Sequence, residues 1–377
     1  MVIKGMIRLI AHLLLGANIV SVALMLLTGY SYHVDPINFS LIATLGMFFP
    51  VFMVINALFL FFWLFIQRKA ALLSFIAFIL CYFPVKTYIG INMPSKAPPG
   101  AIKVMSYNVL NYHGMQDEPS DDLKNKIVDF LINSDCDIIC LQEANEKSLP
   151  EDLRKRLNEA YPNSHIDSKA GQYNDMALYS KYKILSSDTI AFKSVANISV
   201  AYILQAEDEK ILVINNHLES NHLSEDDKNH VRNMITGDVK GDYVGEESKS
   251  LFAKLTESSL VRNHQAKAVA KFVEQNKGMP IILCGDFNET PISFNHHVIS
   301  QNLTDCYVAS GIGPGWSYCH SGMRVRIDNI MCSSDYQPYG CKVLSDVPYS
   351  DHFPIVCWLK TKGSKNDAST DLKKNNN

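Results

Sequence analysis

The chain has 377 residues, 47% of them apolar, with 35 Lys plus Arg and 38 Asp plus Glu, a composition that excludes a disordered chain, a collagen and a coiled coil. Its charges are unevenly divided: the first hundred positions hold six basic residues and one acidic one, whereas residues 101–360 hold 25 basic and 35 acidic. The first region is therefore too apolar for a solvated domain, and the net of −10 in the second argues against a broad electrostatic grip on nucleic acid.

Three apolar runs occupy residues 7–30, 39–66 and 70–91. A hydrocarbon core ~30 Å thick takes about 20 apolar residues at ~1.5 Å rise per residue, which the first two runs meet comfortably. The third contains Pro84 and Lys86, the lysine placed near a helix end where it can snorkel to the headgroups. A cleaved signal would end after one short apolar core, so residues 1–92 read as a membrane segment of about three transmembrane helices, with the lipid bilayer as their partner. Lys4 and Arg8 precede the first run, Arg68 and Lys69 separate the second from the third, and residues 31–38 carry no Lys or Arg. The positive-inside rule then predicts a multi-pass protein whose chain after residue 91 lies on the non-cytoplasmic side, periplasmic or extracellular, with Lys86, Lys96 and Lys103 against the rule. Pro94, Pro98, Pro99 and Gly100 make residues 93–100 a short, stiff linker.

Beyond the linker, strand-like and helix-like runs alternate. Residues 102–109 alternate apolar and polar, 123–132 have helical spacing behind Asp121 and Asp122 as candidate caps, and 137–141 form a short buried strand. Pro150 opens an amphipathic helix to residue 160, and strands follow near 176–179, 198–205 and 211–216. The stretch 220–245 is polar, a surface excursion or a mobile loop. A long helix at 250–275 precedes strands near 280–284, 327–332 and 354–359, and 361–377 reads as a disordered polar tail. The mixture predicts a layered α/β domain over residues 101–360. Of nine cysteines, Cys140, Cys284, Cys332 and Cys357 fall in apolar strand runs, while Cys306, Cys319 and Cys341 have loop-like contexts that leave pairing open. The absence of any C-x-x-C disfavours a zinc ribbon or a redox motif.

Chemistry-bearing residues stand where these strands end. Asn108, Glu143, His217, Asp286 and Asn288 each follow an apolar run, Asp328 lies within the run 326–330, and Asp351 with His352 just precedes another. A hard divalent cation takes oxygen ligands, one or two carboxylates among them, and Asn108, Glu143 and Asp351 can supply these. Phosphoester hydrolysis also needs a positioned water, a proton acceptor and donors aimed at the phosphoryl oxygens. His352 can accept a proton or stabilise charge, Asp328 can hold its ring, and Asn288 and His217 offer donors to a phosphate. Each fragment alone is an ordinary turn or strand end; the ordered set is not.

The blocks MSYNVL, ICLQE, NNHLES, GDFNETP, RIDNIM and SDHFPI together resemble those of the endonuclease/exonuclease/phosphatase superfamily, over residues 102–359 and in a membrane-anchored, bacterial-type form. The resemblance implies a four-layer sandwich of two mixed β-sheets flanked by helices. It implies metal binding by Glu143 with Asn108 and Asp351 nearby, His352 paired with Asp328, Asp286 and Asn288 positioning water and phosphate, and His217 on the scissile phosphate. The cofactor implied is Mg²⁺, with Mn²⁺ as a substitute. Residues 171–181 (GQYNDMALYSK) depart from the family pattern, so Asn174 and Asp175 receive no role. Arg262 and Gln265 resemble a recurring family pair that would support the site, a surface helix face being the alternative.

The expected activity is metal-assisted in-line attack of water on phosphorus by a nuclease or phosphodiesterase, with a phospholipid-headgroup or small-molecule phosphatase as the alternative. The substrate is accordingly a nucleic acid, a phospholipid or a small phosphate ester, and no protein partner is predicted. A non-catalytic scaffold of the same fold would be expected to carry substitutions among the metal and histidine positions, and none is present. A transporter would need paired charges at membrane depth, which the apolar runs lack.

Overall fold

A computed structural model describes residues 2–115, 120–169, 174–194, 196–236 and 244–363. The chain opens with α1 (Val2–Gly29), α2 (Pro36–Leu45), α3 (Phe49–Ile66), α4 (Arg68–Leu80) and α5 (Tyr82–Tyr88). Two helical stretches, Gly5–His33 and Pro36–Ile66, are long and apolar enough to cross a membrane, with mean hydropathies of 2.2 and 2.4. The third apolar run is broken, because α4 and α5 meet at a bend of 66°. Pro84 accounts for it: proline lacks the N–H that would bond Leu80, and its ring crowds that carbonyl. The hydroxyl of Tyr30 donates to the freed Leu80 carbonyl.

Inside the bundle, Asn18 donates to Ser74 Oγ at 2.9 Å and accepts from Trp63 Nε1 at 3.1 Å, while Asn56 donates to Ser21 Oγ at 2.9 Å. Such bonds satisfy the buried polar groups and tie the apolar helices to one another. At one end of the bundle Phe49, Cys81 and Tyr88 pack with Ile292 of the following domain. At the other, Leu14, Trp63, Ala70 and Ala71 pack beside the α3–α4 junction that carries Arg68.

The second part contains β1 (Gly90–Ile91), β2 (Ile102–Asn108), α6 (Asp121–Asn133), β3 (Ile138–Gln142), α7 (Glu151–Ala160), β4 (Asn163–Asp167), β5 (Met176–Ser180) and β6 (Lys183–Thr189). There follow β7 (Ser199–Ala206), β8 (Glu209–His217), α8 (Glu225–Thr236), α9 (Val244–Gln275), β9 (Ile281–Asp286), α10 (Phe294–Ser300), β10 (Thr304–Asp305), α11 (Cys306–Ser310) and β11 (Ile312–Gly313). The last elements are β12 (Tyr318–His320), β13 (Met323–Val325), β14 (Asp328–Cys332), β15 (Tyr336–Val343) and β16 (Ile355–Thr361).

Two six-stranded sheets form, in the orders β15-β16-β2-β3-β5-β4 and β10-β14-β9-β8-β7-β6. Each has one parallel pair, β2 with β3 and β8 with β9, among antiparallel neighbours. Val104, Cys140, Val213 and Cys284 meet between the sheets. Their strand neighbours face outward, where Met105 and Ile139 pack under α6 and α7, and Ile214 and Leu283 pack under α9 and α10. Burial on both faces is why β3, β8 and β9 read as near-continuous apolar runs. The architecture is the expected helix–sheet–sheet–helix sandwich.

Differences from the sequence reading are local. The cap of α6 is Ser120, whose Oγ accepts from Leu123 N at 3.2 Å, while Asp121 and Asp122 occupy the first turn, where the helix dipole favours them. Strands β4, β6 and β15 were not anticipated: all three are edge strands, and β15 carries Pro338 and a register shift between Tyr339 and Lys342. Part of the polar stretch 220–245 is helical, as α8, and part lies outside the described residues. So do residues 171–173 of the atypical block and the tail from 364 onward. The linker 93–100 has no regular strand or helix, and all nine cysteines are free, so Cys306, Cys319 and Cys341 do not pair.

The bundle and the sandwich are tied together at several points. β1 pairs with β11, Asp35 meets Lys267 at 2.7 Å, and the rings of Tyr32 and His33 pack on His297 at 5.1 and 5.4 Å. Arg326 is the most buried of these ties: it pairs with Asp305 at 2.9 Å, bonds Asn329 at 3.0 Å, and reaches the Thr87 carbonyl at 3.1 Å. Breaking a buried pair leaves an uncompensated charge, so Arg326→Ala should destabilise the protein by about 3–5 kcal/mol. Urea unfolding in detergent measures this, and a midpoint unchanged from wild type contradicts it.

Candidate active site

The two parallel pairs place four strand ends at one edge of the sandwich. Asn108 ends β2, Glu143 follows β3, His217 ends β8 and Asp286 ends β9, with His217 in register with Asp286. Asp328, first in antiparallel β14, lies in register with Asp286 on its other side. His352, just before antiparallel β16, comes to the same edge from the other sheet. A polar clamp fixes the separation of the sheets: Gln142 Nε2 donates to Asn215 Oδ1 at 2.7 Å, and Asn215 Nδ2 to the Leu141 carbonyl at 2.9 Å.

Backbone conformation aims the side chains. Glu143 and Asn288 adopt left-handed φ of 50° and 51°, which for Glu143 costs on the order of 1 kcal/mol or more. Gly285, at φ 141°, passes so close to β8 that a Cβ would stand 2.0 Å from the Asn216 carbonyl oxygen. Only glycine brings Asp286 so near His217.

At the centre, His352 Nδ1 meets Asp328 Oδ2 at 2.8 Å while its Nε2 lies 3.6 Å from Asp286 Oδ2. Asn108 Nδ2 donates to Glu143 Oε1 at 3.0 Å and to Asp286 Oδ2 at 3.3 Å, bridging the two carboxylates. His217 Nε2 lies 3.8 Å from Glu143 and 3.9 Å from Asp286, and neither of its ring nitrogens has a hydrogen-bond partner among the described residues. Asn288 gives its backbone N–H to Asp286 Oδ1 at 2.9 Å and its Nδ2 to the Leu218 carbonyl at 3.1 Å. Asp351 sits at the rim, bonded by Ser350 Oγ at 3.3 Å. Glu143, His217, Asp286, Asn288, Asp351 and His352 all line one cavity of about 800 Å³, with Asn108 and Asp328 outside its lining.

These environments separate the proton affinities. Burial opposes the His352 imidazolium, but Asp328 and Asp286 outweigh it and hold the pKa well above the usual histidine value. Burial lowers that of His217, which is therefore a neutral imidazole. Burial pushes Asp286 up to about 6 despite the opposing pull of His352. It also raises Glu143 against the hydrogen bond from Asn108, with Asp351 and Asp328 adding to the rise.

This donor set suits a divalent cation. Glu143 is a desolvated carboxylate facing two further acids, and the orphaned nitrogens of His217 border the same gap. Ligand atoms of Asp286, Asp328 and His352 also lie within 4.8 Å of one another, but Asp328 and His352 are committed to each other. The side chain of Asn108 presents its N–H₂ to the acids and its Oδ1 to the Leu110 N–H at 3.1 Å, so here it orients the carboxylates.

Arg262 and Gln265, on α9, are buried rather than exposed on a surface face. Arg262 donates to the Glu219 carbonyl at 2.7 Å and to Glu289 Oε1 at 2.9 Å, and Gln265 Oε1 accepts from Glu219 N at 2.9 Å. Together they brace the segments that follow His217 and Asn288. Tyr318 packs edge-on against His352 with ring centroids 5.0 Å apart. No motif marks it; only the pairing of its strand with the loop before β16 brings it there.

A family model described as "Endonuclease/Exonuclease/phosphatase family" matches residues 105–352, and the chain belongs to that family. It is accordingly a hydrolase of phosphoester bonds, of a kind generally dependent on divalent metal. Residues 11–88 match a domain of unknown function, DUF8431. No curated protein matches the chain in sequence. Among solved structures, the human Nocturnin catalytic domain with bound sulfate is 18% identical, the alignment covering 71% of this chain and 97% of that one at a TM-score of 0.50. An endonuclease/exonuclease/phosphatase from Beutenbergia cavernae DSM 12333 is 15% identical over 70% of this chain and 72% of that one, also at 0.50. These likenesses show the fold.

The His352–Asp328 geometry carries a measurable consequence. Asp328→Asn keeps the shape but removes the charge that stabilises the imidazolium, so the His352 pKa should fall. A ¹⁵N NMR titration of the ring reads this, and an unmoved pKa contradicts the pairing.

Proposed function

We propose that the protein is a membrane-anchored, Mg²⁺-dependent phosphoester hydrolase, a nuclease or phosphodiesterase in type, with Mn²⁺ able to substitute. The observation that carries this reading is Asp286: a buried carboxylate with a pKa near 6, flanked by His352 on one side and His217 on the other. A general base works best with a pKa near the working pH. Asp286 takes a proton from water, whose oxygen bonds to phosphorus as the ester P–O bond breaks on the opposite side. Asn288 holds Asp286 through its backbone N–H. His352, held protonated by Asp328, stabilises charge on the phosphoryl oxygens, and neutral His217 donates to the same group. Glu143 is the principal metal carboxylate, with Asn108 and Asp351 beside it. A bound divalent cation supplies Lewis acidity toward the phosphoryl oxygen.

The membrane reading draws on Gly5–His33 and Pro36–Ile66, each long enough to span. Tyr32 and His33, at the end of the first stretch, Asp35, just after it, and Thr87, at the end of α5, all contact the sandwich, while Arg68 and Lys69 lie at the α3–α4 turn toward the other end of the bundle. With basic ends cytoplasmic, the sandwich lies outside.

His352→Ala and Asp286→Ala should each lower kcat on bis(p-nitrophenyl) phosphate by about 10²–10⁴-fold with the fold intact by circular dichroism. Retained turnover in either purified variant refutes the role. Glu143→Ala should move the Mg²⁺ dependence to higher concentration, and an unchanged titration counts against ligation there. Protease added outside intact cells should cleave the sandwich, and full protection reverses the orientation.

A further inference from the structure

The cavity over the catalytic residues is far larger than a phosphate needs, at about 800 Å³, and its character changes along its length. One end holds Glu143, His217, Asp286 and His352. The other is apolar: Ala43 comes from the last turn of α2, Met47 and Phe48 from the turn between α2 and α3, and Leu251, Phe252 and Leu255 from α9. Met47 and Phe48 remain 36% and 39% exposed.

Two facts bear on what covers that wall. The α2–α3 turn belongs to Pro36–Ile66, a stretch apolar enough to cross a membrane, and Phe49 beside it packs where the bundle meets the sandwich. The apolar wall therefore begins where the spanning helices leave the bilayer, and α2 runs antiparallel along α9, with Thr44 bonded to Thr256 at 3.2 Å and Asp35 to Lys267. Charge points the same way. Three Lys and Arg side chains reach the wall, of which Lys228 is paired with Glu225 at 2.8 Å and Arg262 with Glu289 at 2.9 Å. That is a poor grip for a polynucleotide, which presents a charge at every phosphate.

We propose that this cavity binds the alkyl chain of a lipid phosphoester, the phosphate at the catalytic end and the chain along the wall formed by the α2–α3 turn and α9. The assignment rests on the membrane-anchored hydrolase reading and narrows its substrate class. The membrane segment then has a second role besides anchoring, since it supplies part of the substrate site.

The test uses the full chain in detergent micelles with Mg²⁺ and two chromogenic diesters that share a leaving group, hexadecyl p-nitrophenyl phosphate and methyl p-nitrophenyl phosphate. Burial of even a few methylenes favours the long chain by about 10-fold or more, and kcat/KM should differ by at least that factor. Ala43→Trp and, independently, Leu255→Trp fill the wall and should bring the two values together by lowering only the hexadecyl one. Unchanged methyl-diester turnover shows that the variant is folded and chemically competent. Equal turnover of the two diesters by wild type, or a preference untouched by both tryptophans, overturns the lipid assignment and leaves the hydrolase reading standing. So does nicking of supercoiled plasmid with a higher kcat/KM than the hexadecyl diester. No turnover of either diester above the His352→Ala background overturns the hydrolase reading and the lipid assignment with it.

Discussion

Negative charge confined at one edge of the sandwich is the constraint on which the structure turns. Glu143, Asp286, Asp328 and Asp351 gather around a single protonated imidazole, and Asp286 and Asp328 are shut off from solvent. Carboxylates without water to solvate them are costly unless paired, and here the acids outnumber the cations on hand. Protonation can relieve that excess only in part; a bound divalent cation would relieve more of it. The burial that raises Asp286 to about 6 makes it a usable base.

Holding that arrangement falls to the rest of the fold. Like charges this close would spread apart on a flexible support, so Asp286 and Asp328 sit in register at the ends of neighbouring strands and Glu143 directly follows a third. The Gln142–Asn215 clamp keeps the sheets at one spacing, and Arg262 and Gln265 fix the segments beyond His217 and Asn288. Arg326 extends the rigidity to the helical bundle through Thr87, so the two parts of the chain meet through fixed contacts rather than a free linker.

Much of this was legible in the sequence, for a physical reason. Strands buried on both faces are largely apolar, so β3, β8 and β9 stood out as apolar runs and β2 by its alternation, and the polar residue at or just after the end of each was conspicuous. Edge strands lack that signature: β6 has no buried residue and β15 is interrupted by Pro338 and Gly340, so neither announced itself. The His352–Asp328 pair followed from chemistry and family likeness, but Tyr318 contributes only a ring face and carries no motif. Hydropathy identified the helix-forming segment around Ala43 and Phe48 as apolar, yet could not show that part of it lines the catalytic cavity rather than meeting lipid. Likewise Pro84 marked the third apolar run as irregular, but no sequence pattern pointed to Tyr30 as the donor to the Leu80 carbonyl at the bend.

The central claim is that water, activated by Asp286, attacks phosphorus in line and displaces the leaving group in one step. Hydrolysis in H₂¹⁸O of a phosphorothioate diester with a single configuration at phosphorus, followed by stereochemical analysis of the product, tests it most directly. Inversion is the outcome expected of one in-line displacement. Retention would mean two displacements through a covalent enzyme intermediate, with a side chain such as His217 as the nucleophile, and would contradict the role given to Asp286.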